Sequence, residues 1–307
     1  MRAPDRQHVE ELDIRHDRAE DGTIKFLARL EDGHDVESVI LPLTGKTGRV
    51  RRTLCVSSQV GCAMGCTFCE TAQMGLVRSL APREILLQWS IARHRFDTMI
   101  DNIVFMGMGE PLDNAEAVIE SIRDLVDQRG PSIAPSRISV STVGRIDGIR
   151  KLSQLVSEPG FGRVRLAVSV NAPNDDIRSS IMPLNRAMPM SDLRDSLATW
   201  TRTHRWPILI EYVLIPGVND RVEHADQLAS WIGDLPCRIN LIPYNPRRDS
   251  PWPSPSDDLV DVFRTAITGH GLPVNRRITL GRSLMAACGQ LGSEEIRKRK
   301  LVNINSR

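Results

Sequence analysis

The sequence predicts an α/β protein: a partial (βα)6 barrel of the TIM type with a small N-terminal β-hairpin extension. Two patterns predict it. From residue 53 to residue 279, short apolar runs alternate with stretches of helical periodicity, and such alternation points to a parallel sheet covered by helices. Six strand–helix units precede a last strand, too few for a closed eight-unit barrel and enough for an open one. The 307 residues carry 41% hydrophobic and 25% charged side chains, the balance of a globular chain with a sizeable core.

Each element has its own signal. Residues 25–30 and 36–41 read as a hairpin turned at Asp32-Gly33. Residues 53–57 (TLCVS) open the barrel series. Strand 102–106 (NIVFM) precedes helix 114–126, and strand 137–141 (RISVS) precedes helix 146–156. Strand 163–170 (RVRLAVSV) leads to helix 191–204, which begins with a serine. Strand 207–214 (PILIEYVL) leads to helix 223–232, and strand 237–242 (CRINLI) to helix 256–270. Residues 273–279 form the last strand. The proline-rich stretch 243–255 is expected to be a surface loop. The chain divides into an extension over 1–52, a core barrel over 53–291 and a basic tail over 292–307.

Composition excludes several classes. A formal charge of +2 gives no global attraction to nucleic acid, and 4% aromatics are few for a reader of single strands by stacking. No run approaches the ~18 apolar residues of a membrane span. The first twenty residues alternate acids and bases, unlike a signal peptide or anchor. A cytoplasmic protein without a membrane partner is expected. In that compartment clustered cysteines signal metal or catalysis more often than structural disulfides.

Six cysteines are present: Cys55, Cys62, Cys66, Cys69, Cys237 and Cys288. Cys62, Cys66 and Cys69 stand as C-x3-C-x2-C, with Gly61, Ala63 and Gly65 allowing a tight loop. Three thiolates on one loop can hold three irons of a [4Fe-4S] cubane and leave the fourth open. Two other readings compete. A zinc site wants four ligands, and Cys55 is the nearby fourth candidate; alternatively, the cysteines are an unreactive core cluster.

The following loops carry polar groups on the same strand ends. Met106-Gly107-Met108-Gly109-Glu110-Pro111 follows the second strand; its glycines admit close backbone approach, and Glu110 can accept from an amino group. Ser141 and Thr142, Ser169 and Asn171, and Asn245 end later strands. They suit ribose and carboxylate contacts, or equally the capping of turns.

The match then becomes specific. The C-x3-C-x2-C spacing is that of the radical S-adenosylmethionine enzymes. Thr53–Cys62 (TLCVSSQVGC), Met106–Leu112, Ala172-Pro173-Asn174-Asp175, Pro216-Gly217-Val218-Asn219-Asp220, Ile239–Pro246 and Ala286-Ala287-Cys288-Gly289-Gln290-Leu291 closely resemble the RlmN/Cfr family of radical S-adenosylmethionine RNA methyltransferases. The resemblance runs from about Lys25 to Leu291. It implies a cluster on Cys62, Cys66 and Cys69, and S-adenosylmethionine contacts at Gly109, Glu110, Ser141, Ser169, Val170, Asn171 and Asn245. It implies that Cys288 is methylated and that a radical drawn from its S-methyl group adds to carbon 2 of an RNA adenine. Cys55 resolves the crosslink, leaving a transient disulfide with Cys288, and Glu37 is the proton acceptor. Ribosomal or transfer RNA is the implied substrate and a flavodoxin-type protein the implied electron donor. The chemistry is coherent: an sp2 carbon that is not nucleophilic needs a radical route, and a soft thiolate can both accept and release the carbon. A non-ribosomal substrate for the same chemistry, and a metal-binding module without activity, are the alternatives.

Three departures mark the chain. Family members carry an N-terminal helical domain before the hairpin, where this sequence has 24 residues ahead of Lys25. Ser169-Val170-Asn171 replaces the family's Ser-Leu-His; Asn keeps a donor and an acceptor without a cationic form. Residues 44–52 are expanded and add Lys46, Arg49, Arg51 and Arg52. With Arg297, Lys298, Arg299 and Lys300 these suit phosphate contacts, or a solvated face.

Overall fold

The computed structural model describes residues 3–45 and 48–292. Lys46, Arg297, Lys298, Arg299 and Lys300 lie outside them, as does the expected basic tail beyond Gly292.

After helix α1 (Arg6–Glu10), strands β1 (Ile14–Arg18), β2 (Ile24–Arg29) and β3 (Asp35–Thr44) run antiparallel into β4 (Val50–Cys55). The expected hairpin is β2–β3, closed where the Leu30 amide donates to His34 O at 2.8 Å. It is not isolated. β3 pairs with β4 from Val39↔Cys55 to Thr44↔Val50, so the extension continues the barrel sheet. β1 (IRHDR) gave no sequence signal because four of its five residues are exposed on a charged edge. Arg51 and Arg52 are exposed on β4, and Arg49 pairs with Asp101 at 3.4 Å.

A two-stranded ribbon of β5 (Gln59–Gly61) and β6 (Leu76–Ser79) brackets the cysteine loop and helix α2 (Glu70–Met74). Helix α3 (Pro82–His94) then completes the first unit. The rest follow as β7 (Asn102–Phe105), α4 (Ala115–Val126), β8 (Ile138–Thr142), α5 (Ile146–Ser157), β9 (Arg165–Ser169), α6 (Asp175–Ile181), α7 (Met190–Thr203), β10 (Ile208–Leu214), α8 (Val222–Ile232), β11 (Cys237–Pro243), α9 (Asp257–Gly269) and β12 (Val274–Arg276). The ten-stranded sheet has the order β1-β2-β3-β4-β7-β8-β9-β10-β11-β12, parallel from β4 onward. This is the expected (βα)6 architecture with a final strand.

The strands are apolar because both of their faces are covered: Ile103, Phe105, Val140, Val168, Ile210, Ile239 and Leu241 have no exposed surface. The helices bury one stripe each, as Val118, Ile122 and Leu125 do on α4 and Val260, Phe263 and Ile267 on α9. Ser256 caps α9, accepting from the Leu259 amide at 3.2 Å. Among the described residues no helix is long and apolar enough to cross a membrane.

The stretch 243–255 is an ordered surface loop for most of its length, with only its first three residues buried. Tyr244 and Asn245 are buried, and the Tyr244 and Ser250 hydroxyls lie 2.8 Å apart. Arg247 Nε donates to Thr67 O at 2.8 Å, and the Arg248 amide to Glu70 Oε2 at 3.1 Å. After β11 the chain turns back, so the segment stays at the surface and packs on the cysteine loop and the start of α2.

Candidate active site

The cysteine loop is closed at its neck. The Cys62 amide donates to Gly75 O at 2.9 Å. Gly61 sits at φ +79°, and a Cβ there would fall 1.9 Å from Gly75 O, so the neck admits only glycine. Gln73 Nε2 donates to the Cys66 and Cys69 carbonyls at 3.3 and 3.1 Å, holding the loop turned in. The three thiols face one cavity. Burial pushes Cys62 up to about 12 and Cys66 well above its ordinary value, with Cys69 and Cys62 adding to the rise at Cys66; burial also raises Cys69. Buried, mutually repelling thiolates call for a cationic centre. Three thiols on one cavity suit a multi-iron cluster, where each binds its own iron.

The Gly107–Pro111 turn packs against the chain after β4. A Cβ on Gly107 would lie 2.6 Å from Ser57 Oγ, and one on Gly109, at φ +99°, 2.6 Å from Gln59 Cβ. The Glu110 carboxylate is buried, accepting from the Leu112 amide at 3.0 Å and the Val143 amide at 2.9 Å. Burial raises its pKa to about 7 against those hydrogen bonds. The Thr142 side chain hydrogen-bonds to the carboxylate as well, which leaves acceptor capacity for one more donor such as an amino group.

Gly109, Glu110, Ser141, Ser169 and Asn171 line the cavity that the three thiols face. Its empty space, out to the open mouth, is about 960 Å³. Asn171 is at φ +57°, a conformation Asn tolerates. Its side chain is used structurally: Oδ1 accepts from the Val213 amide at 2.9 Å, and Nδ2 lies 3.5 Å from Met182 Sδ. The Val170 side chain is buried, and its amide donates to Glu211 O at 3.0 Å. Asn245 lines the neighbouring cavity, its Oδ1 taking Arg282 Nη2 at 3.2 Å.

Cys288 lines both cavities, and Cys55 lines the second. The segment carrying Cys288 is stapled to α2 and its cover: the Glu70 amide donates to Gly289 O at 2.7 Å, Thr71 Oγ1 to Leu291 O at 2.5 Å, and Gln290 Nε2 to Pro246 O at 2.8 Å. Burial, then Cys288, pushes Cys55 up to about 12, while Arg277 pulls it down. All six cysteines are free thiols, so the Cys55–Cys288 disulfide implied by the resemblance is not formed in this structure. Glu37 lines neither cavity. Its carboxylate is buried, 3.0 Å from Lys25 Nζ and accepting the Gly292 amide at 3.0 Å. Cys237 is a core residue of β11.

Four residues went unread in the sequence. Glu211, on β10, takes the Ser141 and Ser169 hydroxyls on one oxygen at 2.9 and 3.2 Å; a lone acid inside PILIEYVL was its signal. Arg277 follows β12, and Arg178 lies buried under the cysteine loop. Arg178 donates to Val170 O at 3.1 Å and Asn185 Oδ1 at 2.8 Å, and burial lowers its pKa to about 10. Asn219 Nδ2 donates to the Asn171 and Val213 carbonyls, each at 2.7 Å. Arg178 gave no signal, because a polar residue on a helix is ordinary, and Asn219 stands in the matching segment Pro216–Asp220 without a role of its own.

An open parallel barrel with three loop cysteines at its C-terminal mouth, beside a glycine–glutamate turn, defines a radical S-adenosylmethionine enzyme. The family model described as the radical SAM superfamily matches residues 56–229. The chain is 41% identical over 289 residues to the probable dual-specificity RNA methyltransferase RlmN 1 of Protochlamydia amoebophila, covering 94% of this chain and 78% of that protein. It is 44% identical over 279 residues to a probable RNA methyltransferase of Sorangium cellulosum, covering 89% and 67%. The crystal structure of a radical SAM methyltransferase from Sphaerobacter thermophilus superposes with a TM-score of 0.83 at 39% identity, covering 91% of this chain and 80% of that one. The chain belongs to the RlmN family of the radical SAM superfamily and is a radical S-adenosylmethionine-dependent methyltransferase.

Proposed function

We propose that this methyltransferase acts in the cytoplasm on carbon 2 of adenine in ribosomal or transfer RNA, through S-methylation of Cys288. The observation that carries the reading is the position of Cys288 on the boundary of two cavities, one lined by the three loop thiols and the other by Cys55. In this reading Cys62, Cys66 and Cys69 hold a [4Fe-4S] cluster. When bound, that cluster supplies the electron that splits S-adenosylmethionine into methionine and a deoxyadenosyl radical. Gly109, Glu110, Ser141, Ser169 and Asn171 surround the cofactor, with Val170 buried between the last two, Glu110 receives its amino group, and Asn245 reaches it from the adjoining cavity. Cys288 loses its thiol proton and takes a methyl group from one S-adenosylmethionine. The S-methyl carbon, after loss of hydrogen, bonds to adenine. Glu37 accepts the proton released at adenine, and the adduct would give one electron back to the cluster; Cys55 then attacks the Cys288 sulfur, the sulfur–sulfur bond forming as the sulfur–carbon bond breaks, and the carbon keeps the electron pair and takes a proton to become the methyl group. The resulting disulfide is reopened by a reductant; a flavodoxin-type protein is the electron donor.

The geometry also constrains the substrate. A base reaches such a cavity only when unstacked, so a loop or single-stranded adenine is favoured. The test is anaerobic reconstitution with iron and sulfide, then reaction with reductant, methyl-labelled S-adenosylmethionine and total bacterial RNA. Labelled 2-methyladenosine in the digested RNA is expected. Deoxyadenosine and methylated Cys288 without labelled RNA would overturn the RNA assignment and leave the thiol chemistry standing.

A further inference from the structure

We propose that Glu211 is a positioning residue that fixes the Ser141 and Ser169 hydroxyls as hydrogen-bond acceptors for the ribose hydroxyls of S-adenosylmethionine. The inference rests on the cofactor placement given above, and three observations carry it. First, one oxygen collects both serines. Glu211 Oε2 accepts from Ser141 Oγ at 2.9 Å and from Ser169 Oγ at 3.2 Å. A serine hydroxyl has one hydrogen and two lone pairs. Each serine spends its hydrogen on Glu211, so only lone pairs are left for a ligand. Second, the sheet holds the arrangement. Glu211 stands beside Ser169 in the parallel register of β10 and β9, and Ser141 stands beside Ala167 in that of β8 and β9. The Val170 and Asn171 amides donate to Glu211 O at 3.0 and 3.3 Å. Glu211 Oε1 is buried, has no hydrogen bond and lies 3.7 Å from Nη1 of Arg277, which lines the cavity that Cys55 and Cys288 share. The carboxyl group thus turns one oxygen to the serines and the other away from them. Third, other side-chain donors on this wall are already used. Thr71 Oγ1 donates to Leu291 O, and Asn171 Nδ2 faces Met182 Sδ. Among the described residues no Lys, Arg or His side chain lines this cavity. The wall offers acceptors and selects a ligand that brings donors.

The ribose is the part of the cofactor that fits. The amino group of S-adenosylmethionine is placed on Glu110, which leaves the ribose diol and the adenine amino group as donors. Both serines lie within hydrogen-bond reach of one oxygen, so their own oxygens are neighbours. Two hydroxyls on adjacent ribose carbons match two neighbouring acceptors, whereas the adenine amino group presents both hydrogens from one nitrogen. A ligand carboxylate would meet only lone pairs here. Without Glu211 each serine hydroxyl turns freely, donating or accepting, and the wall loses its polarity.

The test uses the anaerobically reconstituted full chain without reductant or RNA. Isothermal titration calorimetry compares S-adenosylhomocysteine with its 2′-deoxy-2′-fluoro and 3′-deoxy-3′-fluoro forms, because fluorine can accept weakly and cannot donate. Wild type is expected to bind each fluoro form about tenfold more weakly than the parent, since a buried acceptor is left without its donor. In Glu211→Gln the amide turns its oxygen to Arg277 and its N–H to the serines, which frees their hydrogens for the ligand. The gap should then fall below about threefold. A merely structural role would weaken parent and fluoro forms alike and leave the gap unchanged, which would overturn the proposal. Should Glu211→Gln fail to fold, fluoro forms binding wild type as tightly as the parent would overturn it, as would a gap that persists when Ser141→Ala and Ser169→Ala are combined. Absence of parent binding would overturn the cofactor placement along with the proposal, whereas parent binding without a gap overturns the proposal alone.

Discussion

The loop thiols and the mouth thiols are gathered in opposite ways. Cys62, Cys66 and Cys69 share one eight-residue loop, and Gly61, Gly75 and Gln73 shape it locally. Cys55 and Cys288 are separated by about three quarters of the chain, and only the run of the sheet from β4 to β12 brings them to the same cavity. A loop site is preserved as long as its neck folds. A mouth site depends on the register of every strand between its members. A metal-binding group tolerates the first arrangement because its ligands need only cluster. A thiol pair that must exchange a bond needs the second, since disulfide geometry allows about 4.4–6.8 Å between Cα atoms.

Replacing Cys66 by Ala should have the largest effect. Bound iron and sulfide and deoxyadenosine formation are expected to fall to background, measured by metal analysis and chromatography. Zinc retained without sulfide would break the comparison by making the loop a mononuclear site. At the mouth, Cys288→Ala should abolish methyl transfer to protein, and Cys55→Ala should stall after it as a protein–RNA adduct. Each should lower RNA methylation by more than about a hundredfold, and the double variant should be no worse than Cys288→Ala, because residues acting as a unit are not additive. Denaturing gels with labelled RNA distinguish the two.

The loop neck gives a stability test. Gly61→Ala places a methyl 1.9 Å from a backbone oxygen, whereas Gly217, at a similar φ of +74°, has nothing within 4 Å. The first substitution should cost about 3 kcal/mol or more and the second about 1 kcal/mol, measured by urea unfolding. Similar costs would mean that conformation, and not the close approach, fixes the neck.

Glu110 gives a pH-dependent effect with a definite sign. Its folded pKa of about 7 exceeds the ordinary 4.5. Between those values the native state holds a proton that the unfolded chain has released, so this contribution to stability falls as pH rises through the window. The total is on the order of 3 kcal/mol at most. Comparing unfolding at about pH 5 and 8, Glu110→Gln should flatten the decline; an unchanged slope would place its source elsewhere.

The barrel was legible because apolar runs such as NIVFM and RISVS have few alternatives to a doubly covered strand. The elements that escaped had no such signature. β1 is charged and exposed, α2 spans five residues, and α6 is seven residues capped by Asn174. α3 carried a proline at its start and Glu84 accepting from the Ala81 amide at 2.8 Å, a start signal that was present and unread. The loop 243–255 was legible as a loop, but its packing on the cysteine loop was not, because proline content signals a turn without saying which way the chain turns. Glu211 had a signal, a lone acid inside an apolar strand, whereas Arg277 is ordinary in the sequence and becomes informative only where it meets Glu211.

By itself, the sequence determined the strand–helix alternation, the three-cysteine loop and the glycine–glutamate turn, because each is set by periodicity or spacing within a few residues. The tertiary structure alone decided that Cys288 borders both cavities, that Glu37 is buried against Lys25 and Gly292, and that Arg277 lines the cavity shared by the two mouth thiols. Those relations join residues far apart in the chain, and only the sheet register and the packing of the chain's last described segment on α2 fix the distances between them.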